Sequence, residues 1–201
     1  MAKSEIRLVG PEANAASLAA EVERLRAQLA AAQARIAELE AKADTDALLD
    51  IPNRRGFERE LRRSLAYVRR YGASAALIYL DLDQFKLVND RHGHAAGDRV
   101  LQAVAATLRR SVRESDVVAR LGGDEFGVLL WNIGDTQAAA KARELESAVA
   151  ALGAMDGGAA ISVGISAGYT MLSAGDLVAD AIARADRAMY ARKRAGRAAV
   201  G

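Results

Sequence analysis

Residues 117–131, VVARLGGDEFGVLLW, restrict the possible fold more than any other stretch of the chain. Two apolar runs flank Gly122 and Gly123, a pattern that predicts two strands joined by a tight turn. Asp124 and Glu125 follow the glycines directly, so the tip of a buried hairpin carries adjacent carboxylates. A surface turn would explain these residue types, because Gly and Asp are common in turns. A binding site for a cation would explain them equally well.

The residues outside the hairpin predict a mixed α/β domain. ALIYLDLD at residues 76–83 and ISVGISAG at residues 161–168 are apolar runs typical of strands. Apolar residues at helical spacing predict four helices around these strands. Their predicted inner faces are Phe57, Leu61, Leu65 and Val68; Val100, Val104, Leu108 and Val112; Leu145, Val149 and Leu152; and Ile182, Ala185 and Met189. The order of elements favours a palm-like, mainly antiparallel sheet with helices on one side over a doubly wound parallel sheet.

Residues 15–46 form a separate segment that contains no glycine, proline or aromatic residue. Its apolar residues follow a heptad repeat, which predicts a coiled coil about 45 Å long. The β-branched residues Val22 and Ile36 in one series, with leucine in the other, favour a parallel homodimer. A single amphipathic helix packed on its own domain is the alternative. The predicted domains are a short N-terminal segment at 1–14, the coil at 15–46 and a globular domain at 47–201.

Composition and charge argue against several classes of protein. The net charge of +2 over 201 residues lacks the dense basic patch of a nucleic-acid-binding domain, so no such partner is expected. No apolar run approaches the ~20 residues that span a bilayer, and residues 1–10 do not resemble a signal peptide. The absence of cysteine excludes disulfides and thiolate chemistry. A cytoplasmic protein without a membrane partner is expected.

Four acidic residues lie at the ends of predicted strands. Asp81 and Asp83 end the strand at 76–83, and Asp124 and Glu125 lie at the hairpin tip. If the hairpin neighbours that strand, three or four carboxylates share a small volume and raise each other's pKa. A divalent cation would remove the repulsion. Oxygen ligands suit Mg²⁺, and two such ions can hold an in-line displacement at phosphorus.

Several blocks of the chain occur together in one known family. RLGGDEF at residues 120–126 resembles the signature of the GGDEF family, the diguanylate cyclases. DTDALLDIPNRRGF (44–57), DLDQFKLVNDRHGHAAGD (81–98) and ADRAMYARKRAGR (185–197) resemble its other motifs, in the same order. The resemblance implies an enzyme that joins two GTP molecules into cyclic di-GMP and releases pyrophosphate. The entry motif departs from the family pattern, because Asp50 stands where the family usually has glycine.

The resemblance also implies a role for each matching residue. Asp81, the main-chain carbonyl of Leu82 and Asp124 would hold two Mg²⁺ ions, or Mn²⁺, with Glu125 as an additional acid. Asn89 and Asp98 would bind guanine, whose N1–H and amino group suit a carboxylate acceptor. Adenine lacks this pair of donors and would leave the acceptor unpaired. The predicted catalytic residues are Asp81, Asp124, Glu125, Lys193 and Arg197, and the nucleotide-binding residues are Phe85, Lys86, Asn89, His94, Asp98, Gly122, Gly123, Lys193 and Arg197.

RESD at residues 113–116 resembles the inhibitory RxxD site of the same family. Arg113 and Asp116 would bind cyclic di-GMP there, so that the product inhibits its own synthesis. The alternative is an ordinary ion pair between residues three apart at a helix end.

The implied reaction needs two domains, because each contributes one GTP. A dimer held by the coiled coil makes their encounter effectively intramolecular. Two other functions remain open: an inactive domain that only binds cyclic di-GMP, and a scaffold with no small-molecule ligand.

Overall fold

The computed structural model describes residues 11–156 and 159–198, with side chains described over 18–36, 43–152 and 163–195. The chain divides into two units, Met1–Ala43 and Asp44–Gly201. Twelve elements follow one another along the described chain. They are α1 (Pro11–Ala43), α2 (Arg54–Tyr71), β1 (Ala75–Asp83), α3 (Phe85–His92), α4 (His94–Arg110), β2 (Val117–Arg120), β3 (Glu125–Trp131), α5 (Asp135–Ala150), β4 (Gly153–Asp156), β5 (Ala159–Ser162), β6 (Gly164–Met171) and α6 (Val178–Ala198).

The described part of the first unit, from Pro11 to Ala43, is the helix α1. The heptad residues with described side chains include Leu18, Val22, Leu25, Leu29 and Ile36, which are 44% to 61% exposed. The helix is confirmed, whereas its pairing with a second copy stays a prediction. The side chains of Ala15 and Leu39, which belong to the same predicted seam, lie outside the described residues. No described helix combines the length and the apolar character needed to cross a membrane.

Helix α1 ends at Ala43, three residues before the end of the predicted coil at residue 46. Asp44 is only 4% exposed, and its carboxylate pairs with Arg55 at 2.8 Å and with Arg59. Thr45 forms an isolated β-bridge with Pro52. Residues 44–46 therefore belong to the globular unit, because their polar groups find partners there.

A four-stranded antiparallel sheet with the order β2-β3-β1-β6 forms the centre of the globular unit. The predicted antiparallel sheet flanked by helices is confirmed. The predicted strand at 161–168 is two strands, since β5 ends at Ser162 and β6 begins at Gly164. β5 pairs with β4 in a separate two-stranded sheet.

Helices pack on both faces of the sheet, so the prediction of helices on one side was wrong. Leu77 and Tyr79 of β1 join a core with α2 and α6, whereas Ile78 and Leu80 join a second core with α3, α4 and α5. The physical reason is visible in β1, where every residue from Ala75 to Leu80 is apolar or aromatic and buried. A strand that is buried on both faces reads as a continuous apolar run.

A glycine separates two helices where the sequence predicted only the second. Gly93 has φ of 79°, a conformation that is accessible to glycine and strained for most other residues. It ends α3 and precedes α4, which gives the block at 81–98 its sharp corner. Asp50, which replaces the family's usual glycine, likewise has a positive φ of 50°.

Candidate active site

The strand register brings the two acidic blocks together at one end of the sheet. Asp81 of β1 lies directly opposite Glu125 of β3, and the backbone N–H of Leu82 donates to the carbonyl of Asp124 at 3.1 Å. Side chains that lie opposite each other in an antiparallel pair point to the same face of the sheet. The hairpin tip therefore presents its acids beside the end of β1, as the sequence predicted.

Lys193 of α6 reaches the same end of β1. Its ammonium forms an ion pair with Asp81 and lies 3.6 Å from Oδ1 of Asp83. The Lys193 side chain is only 14% exposed, so its charge is screened weakly by water. The Ser166 hydroxyl donates to Oδ1 of Asp83 at 2.9 Å. The structure thus brings the predicted lysine to the predicted aspartates.

Asp124 has an unfavourable electrostatic environment. Burial raises the pKa of its carboxyl group, and the negative charge of Asp81 raises that pKa further. A cation bound between Asp124 and Asp81 would offset this repulsion. The donor set of two carboxylates and the Leu82 carbonyl suits Mg²⁺, which usually takes few protein ligands and keeps water and phosphate oxygens. These residues therefore fit the metal that the sequence implied.

The predicted convergence of three or four carboxylates on one small volume is not observed among the described side chains. Among the described residues, no three acidic or imidazole side chains gather closely enough to hold a metal ion. Glu125 turns toward Arg54, whose Nη2 lies 3.5 Å from its Oε2, and Asp83 is held by Ser166. Both acids thus have neighbouring donors of their own in the structure.

Two arginines donate hydrogen bonds to backbone carbonyls of the hairpin turn. The Arg120 guanidinium donates to the carbonyls of Gly122 at 3.1 Å and Gly123 at 2.8 Å. Arg54 Nε donates to the carbonyl of Leu121 at 2.8 Å. Sequence reasoning missed both roles, although each arginine lies inside a motif that resembles the family. These hydrogen bonds fix the position of the turn backbone.

Gly122 leaves space for the end of the Glu125 side chain and has no unusual backbone conformation. A Cβ atom there would lie 2.6 Å from Oε2 of Glu125. The positive-φ glycines of the described chain are Gly72 and Gly93, so Gly122 adopts angles open to other residues. A Cβ on Gly123 would meet nothing within 4 Å. The first glycine therefore admits the Glu125 side chain, and the second leaves open space over the turn.

The predicted guanine-binding residues lie where α3 meets α4. A Cβ on Gly97 would overlap the Asn89 amide and lie 3.2 Å from the Phe85 ring, so this glycine makes room for Asn89. Asp98 follows Gly97 directly and is exposed, whereas Asn89 is half-buried. The structure thus places the two side chains on neighbouring helices.

The remaining nucleotide-binding candidates are distributed around this corner and on α6. Lys86 and His94 are exposed, and Phe85 is buried at the start of α3. Arg197 lies one turn after Lys193 in α6, but its side chain is outside the described residues.

The RESD segment forms a turn after α4 and not an ion pair at a helix end. The Asp116 carboxylate accepts from the backbone N–H groups of Arg113 and Trp131, each at 3.0 Å. Among the described residues the Arg113 guanidinium has no ion-pair or hydrogen-bond partner. Arg113, Asp116, Trp131 and Lys141 line a cavity of about 470 Å³. Asp116 therefore anchors the turn, and Arg113 is available at the cavity.

Comparison with known proteins identifies the family. The family model described as diguanylate cyclase, GGDEF domain, matches residues 43–199. The chain is 42% identical over 164 residues to a probable diguanylate cyclase, DgcE of Escherichia coli. It is 38% identical over 198 residues to the diguanylate cyclase TpbB of Pseudomonas aeruginosa. These matches cover 81% and 96% of this chain but only 15% and 44% of the two relatives.

Solved structures support the same relationship. The coiled coil and GGDEF domain of DgcB from Caulobacter crescentus, in complex with c-di-GMP, matches with a TM-score of 0.74 and 31% identity, over 92% of this chain and 95% of that one. Diguanylate cyclase SiaD from Pseudomonas aeruginosa, in complex with its activator SiaC, matches with a TM-score of 0.75 and 34% identity, over 91% and 71%. The chain belongs to the diguanylate cyclase, GGDEF domain family.

Proposed function

We propose that this chain is a diguanylate cyclase that joins two GTP molecules into cyclic di-GMP. The observation that carries the proposal is the meeting of Asp81 of β1, Asp124 of the turn between β2 and β3, and Lys193 of α6 at one end of the sheet. An acidic pair beside a partly buried ammonium suits a substrate whose triphosphate binds with a divalent cation. The relatives named as diguanylate cyclases support the assignment.

Asp81, the Leu82 carbonyl and Asp124 would hold Mg²⁺, with Mn²⁺ as the alternative and two ions in each half-site. When bound, the metal supplies stabilisation of the charge that develops on the phosphoryl oxygens. Lys193 and Arg197 would bind the triphosphate, Glu125 would act as an additional acid at the site, and the backbone at Phe85 and Lys86 would wrap the phosphates. Gly122 and Gly123 would let the substrate approach the turn.

Asn89 and Asp98 would select guanine, and His94 would contact the nucleotide. An acceptor that suits two adjacent guanine donors loses both hydrogen bonds when adenine replaces guanine. ATP in equal concentration with GTP is therefore expected to remain almost unincorporated. A mixed cyclic dinucleotide as a major product would contradict the role of Asp98.

The reaction would take place between two copies of the domain. The 3′-hydroxyl of one GTP attacks the α-phosphorus of the other, the bond to the β-phosphate oxygen breaks, and pyrophosphate leaves. A second, symmetric attack closes the ring and releases a second pyrophosphate. A parallel coiled coil of two α1 helices would hold the two copies together. The exposed apolar residues of α1 support this arrangement, as does the likeness to a structure that comprises a coiled coil and a GGDEF domain.

Product inhibition would act through Arg113 and Asp116. The available Arg113 guanidinium and the neighbouring cavity suit an anionic ligand with guanine edges. The DgcB structure contains c-di-GMP, which supports the capacity of this fold to bind the product.

The decisive experiment incubates the purified protein with GTP and Mg²⁺ and quantifies both products. We expect one cyclic di-GMP for every two pyrophosphates, and no synthesis by Asp81→Asn or Asp124→Asn. Asp186→Asn removes an exposed carboxylate from α6 and serves as the matched control, with wild-type activity expected. Binding of cyclic di-GMP without synthesis would indicate a receptor. The absence of both would leave a scaffold.

A further inference from the structure

The buried apolar contacts of helix α6 end just before the candidate active site. Met189 is buried, at 4% exposure, whereas the next residue, Tyr190, is 59% exposed. Between Tyr190 and Ala195 every described side chain except Lys193 is exposed. The helix nevertheless continues to Ala198. Over the described side chains from Tyr190 to Ala195, which include the proposed triphosphate-binding residue Lys193, the helix is therefore held on the domain by polar contacts.

One of these polar contacts is the ion pair of Lys193 itself with Asp81, and the other involves its neighbour. Arg192 Nε donates to Oε1 of Glu146 at 3.2 Å, and its Nη2 donates to Oε2 at 2.6 Å. A guanidinium that binds both oxygens of one carboxylate is fixed in orientation as well as in distance. Because Arg192 and Lys193 are adjacent on one helix, fixing the first restricts the rotation and tilt of the second.

Glu146 is itself held in place from two directions. Leu145 and Val149, its neighbours on α5, are fully buried, which fixes this part of the helix. Oε1 of Glu146 also accepts the backbone N–H of Ala167 at 2.9 Å. β6 is an edge strand of the described sheet, so this N–H would otherwise lack a strand partner. Glu146 thus accepts a hydrogen bond from the edge strand β6 and at the same time forms an ion pair with Arg192.

The contact joins two parts of the domain that belong to different cores. α5 packs with the core on one face of the sheet, and α6 packs with the core on the other face. The side chains of Glu146 and Arg192 meet at the edge formed by β6. The ion pair between Glu146 and Arg192 therefore links the end of α6 to α5, which packs on the opposite face of the sheet.

We infer that Glu146 is a positioning residue for Lys193: by binding Arg192 it sets the place of the lysine that receives the triphosphate. The inference rests on the proposed function, since it assumes that Lys193 binds GTP. It adds a residue that no motif of the sequence marks, and it assigns Glu146 no contact with the substrate.

The test uses Glu146→Gln in the full chain. Glutamine keeps an oxygen that can accept the Ala167 N–H but removes the charge that binds Arg192. We expect the Kd for a non-cleavable GTP analogue with Mg²⁺, measured by calorimetry, to rise about three- to fivefold, as suits a partly exposed ion pair. The KM for GTP should rise by a similar factor with kcat nearly unchanged, and the Tm should stay close to the wild-type value.

Matched controls distinguish an effect on the position of Lys193 from the general effect of removing a surface charge. Glu144→Gln removes an exposed charge from α5, and Arg194→Gln removes an exposed charge beside Lys193; both should bind the analogue like the wild type. Arg192→Gln should reproduce the effect of Glu146→Gln, and the double variant should be no weaker than either single one. In a Lys193→Ala background, Glu146→Gln should change the Kd no further.

The possible failures are distinguishable. Wild-type affinity in Glu146→Gln, or an equal loss in the Lys193→Ala background, would overturn the inference and leave the proposed function standing. A fall in Tm that accounts for the loss of affinity would return Glu146 to a purely structural role. A wild-type chain that does not bind the GTP analogue would reject the proposed function, and this inference with it.

Discussion

At the scale of single residues, the ionised Asp124 carboxylate lowers the stability of the fold and is proposed to bind a cation. Burial and the charge of Asp81 raise its pKa, so the folded protein holds this proton more tightly than the unfolded chain does. The group therefore stabilises the fold below the usual pKa of an aspartate, and that contribution is lost as the pH rises through the raised pKa. At neutral pH the ionised carboxylate opposes folding unless a cation is bound.

This balance predicts opposite responses of Asp124→Asn with and without metal. Without metal at pH 7, the variant should be as stable as the wild type or slightly more stable, because a repulsive charge is gone. Saturating Mg²⁺ should raise the Tm of the wild type by about 5 °C, as expected for a ligand well above its Kd. The variant should gain almost nothing. Thermal denaturation with and without Mg²⁺ measures both effects, and an equal gain by the variant would contradict the metal assignment.

Substitutions of Arg113 and Asp116 should differ in their effect on stability, because only the Asp116 side chain anchors the turn. Asp116→Ala leaves the N–H of Trp131 without its acceptor and should cost about 1–2 kcal/mol of unfolding free energy. Arg113→Ala breaks no such contact, so its Tm should be unchanged. It should relieve inhibition by cyclic di-GMP without lowering the initial rate. Initial rates at increasing product concentration test this, and inhibition at the wild-type product level would remove Arg113 from the site.

At the scale of elements, the sequence predicts what a local pattern determines. The hairpin at 117–131 and the strand at 76–83 have unbroken apolar runs, and the structure contains both. The break within 161–168 is not apparent in the sequence, because the single residue between β5 and β6, Val163, is itself apolar. The side of the sheet covered by each helix is a property of packing, which no single helix encodes.

α6 depends on one glycine for its approach to the sheet. A Cβ on Gly168 of β6 would lie 2.5 Å from Cα of Met189. The added methyl group would clash with backbone atoms of α6, which cannot move aside as a flexible side chain could. Gly168→Ala should therefore destabilise the domain by about 3 kcal/mol, in the range of severe overpacking. Urea denaturation measures the loss. Gly175→Ala, which adds its Cβ in open space, is the control, and equal stability of the two variants would contradict this account of the packing.

The candidate site was predictable only in part, for a related reason. Asp81 and Asp124 belong to motifs that can be read locally, and the strand register then brings them together. The contacts that hold the site join residues far apart in the sequence: Arg54 to the carbonyl of Leu121, Ser166 to Asp83, and Glu146 to Arg192. A lone serine or glutamate carries no signal of such a contact before the register of the strands and the packing of the helices are known.

At the scale of the whole molecule, α1 and the globular unit have separate tasks. The globular unit contains both apolar cores, every described strand and the candidate active site. α1 contributes an exposed apolar seam and, in the proposed dimer, the proximity of two half-sites. In the proposed reaction each half-site supplies one GTP, so a single globular unit is expected to bind substrate without completing the reaction.

Deletion of residues 1–43 tests this division of tasks. The truncated chain keeps Asp44 and its ion pairs with Arg55 and Arg59, so it should fold with a Tm close to that of the full chain. Its specific activity should be low at low protein concentration, because the half-sites now meet by diffusion, and should rise as the concentration increases.

The full chain with Leu25→Asp and Leu29→Asp provides a matched control, because two charges in the seam should break the dimer while every residue remains present. It should show the same dependence on concentration, with a monomer mass in sedimentation experiments. A truncated protein whose specific activity is high and independent of concentration would show that the helix has no part in bringing the half-sites together.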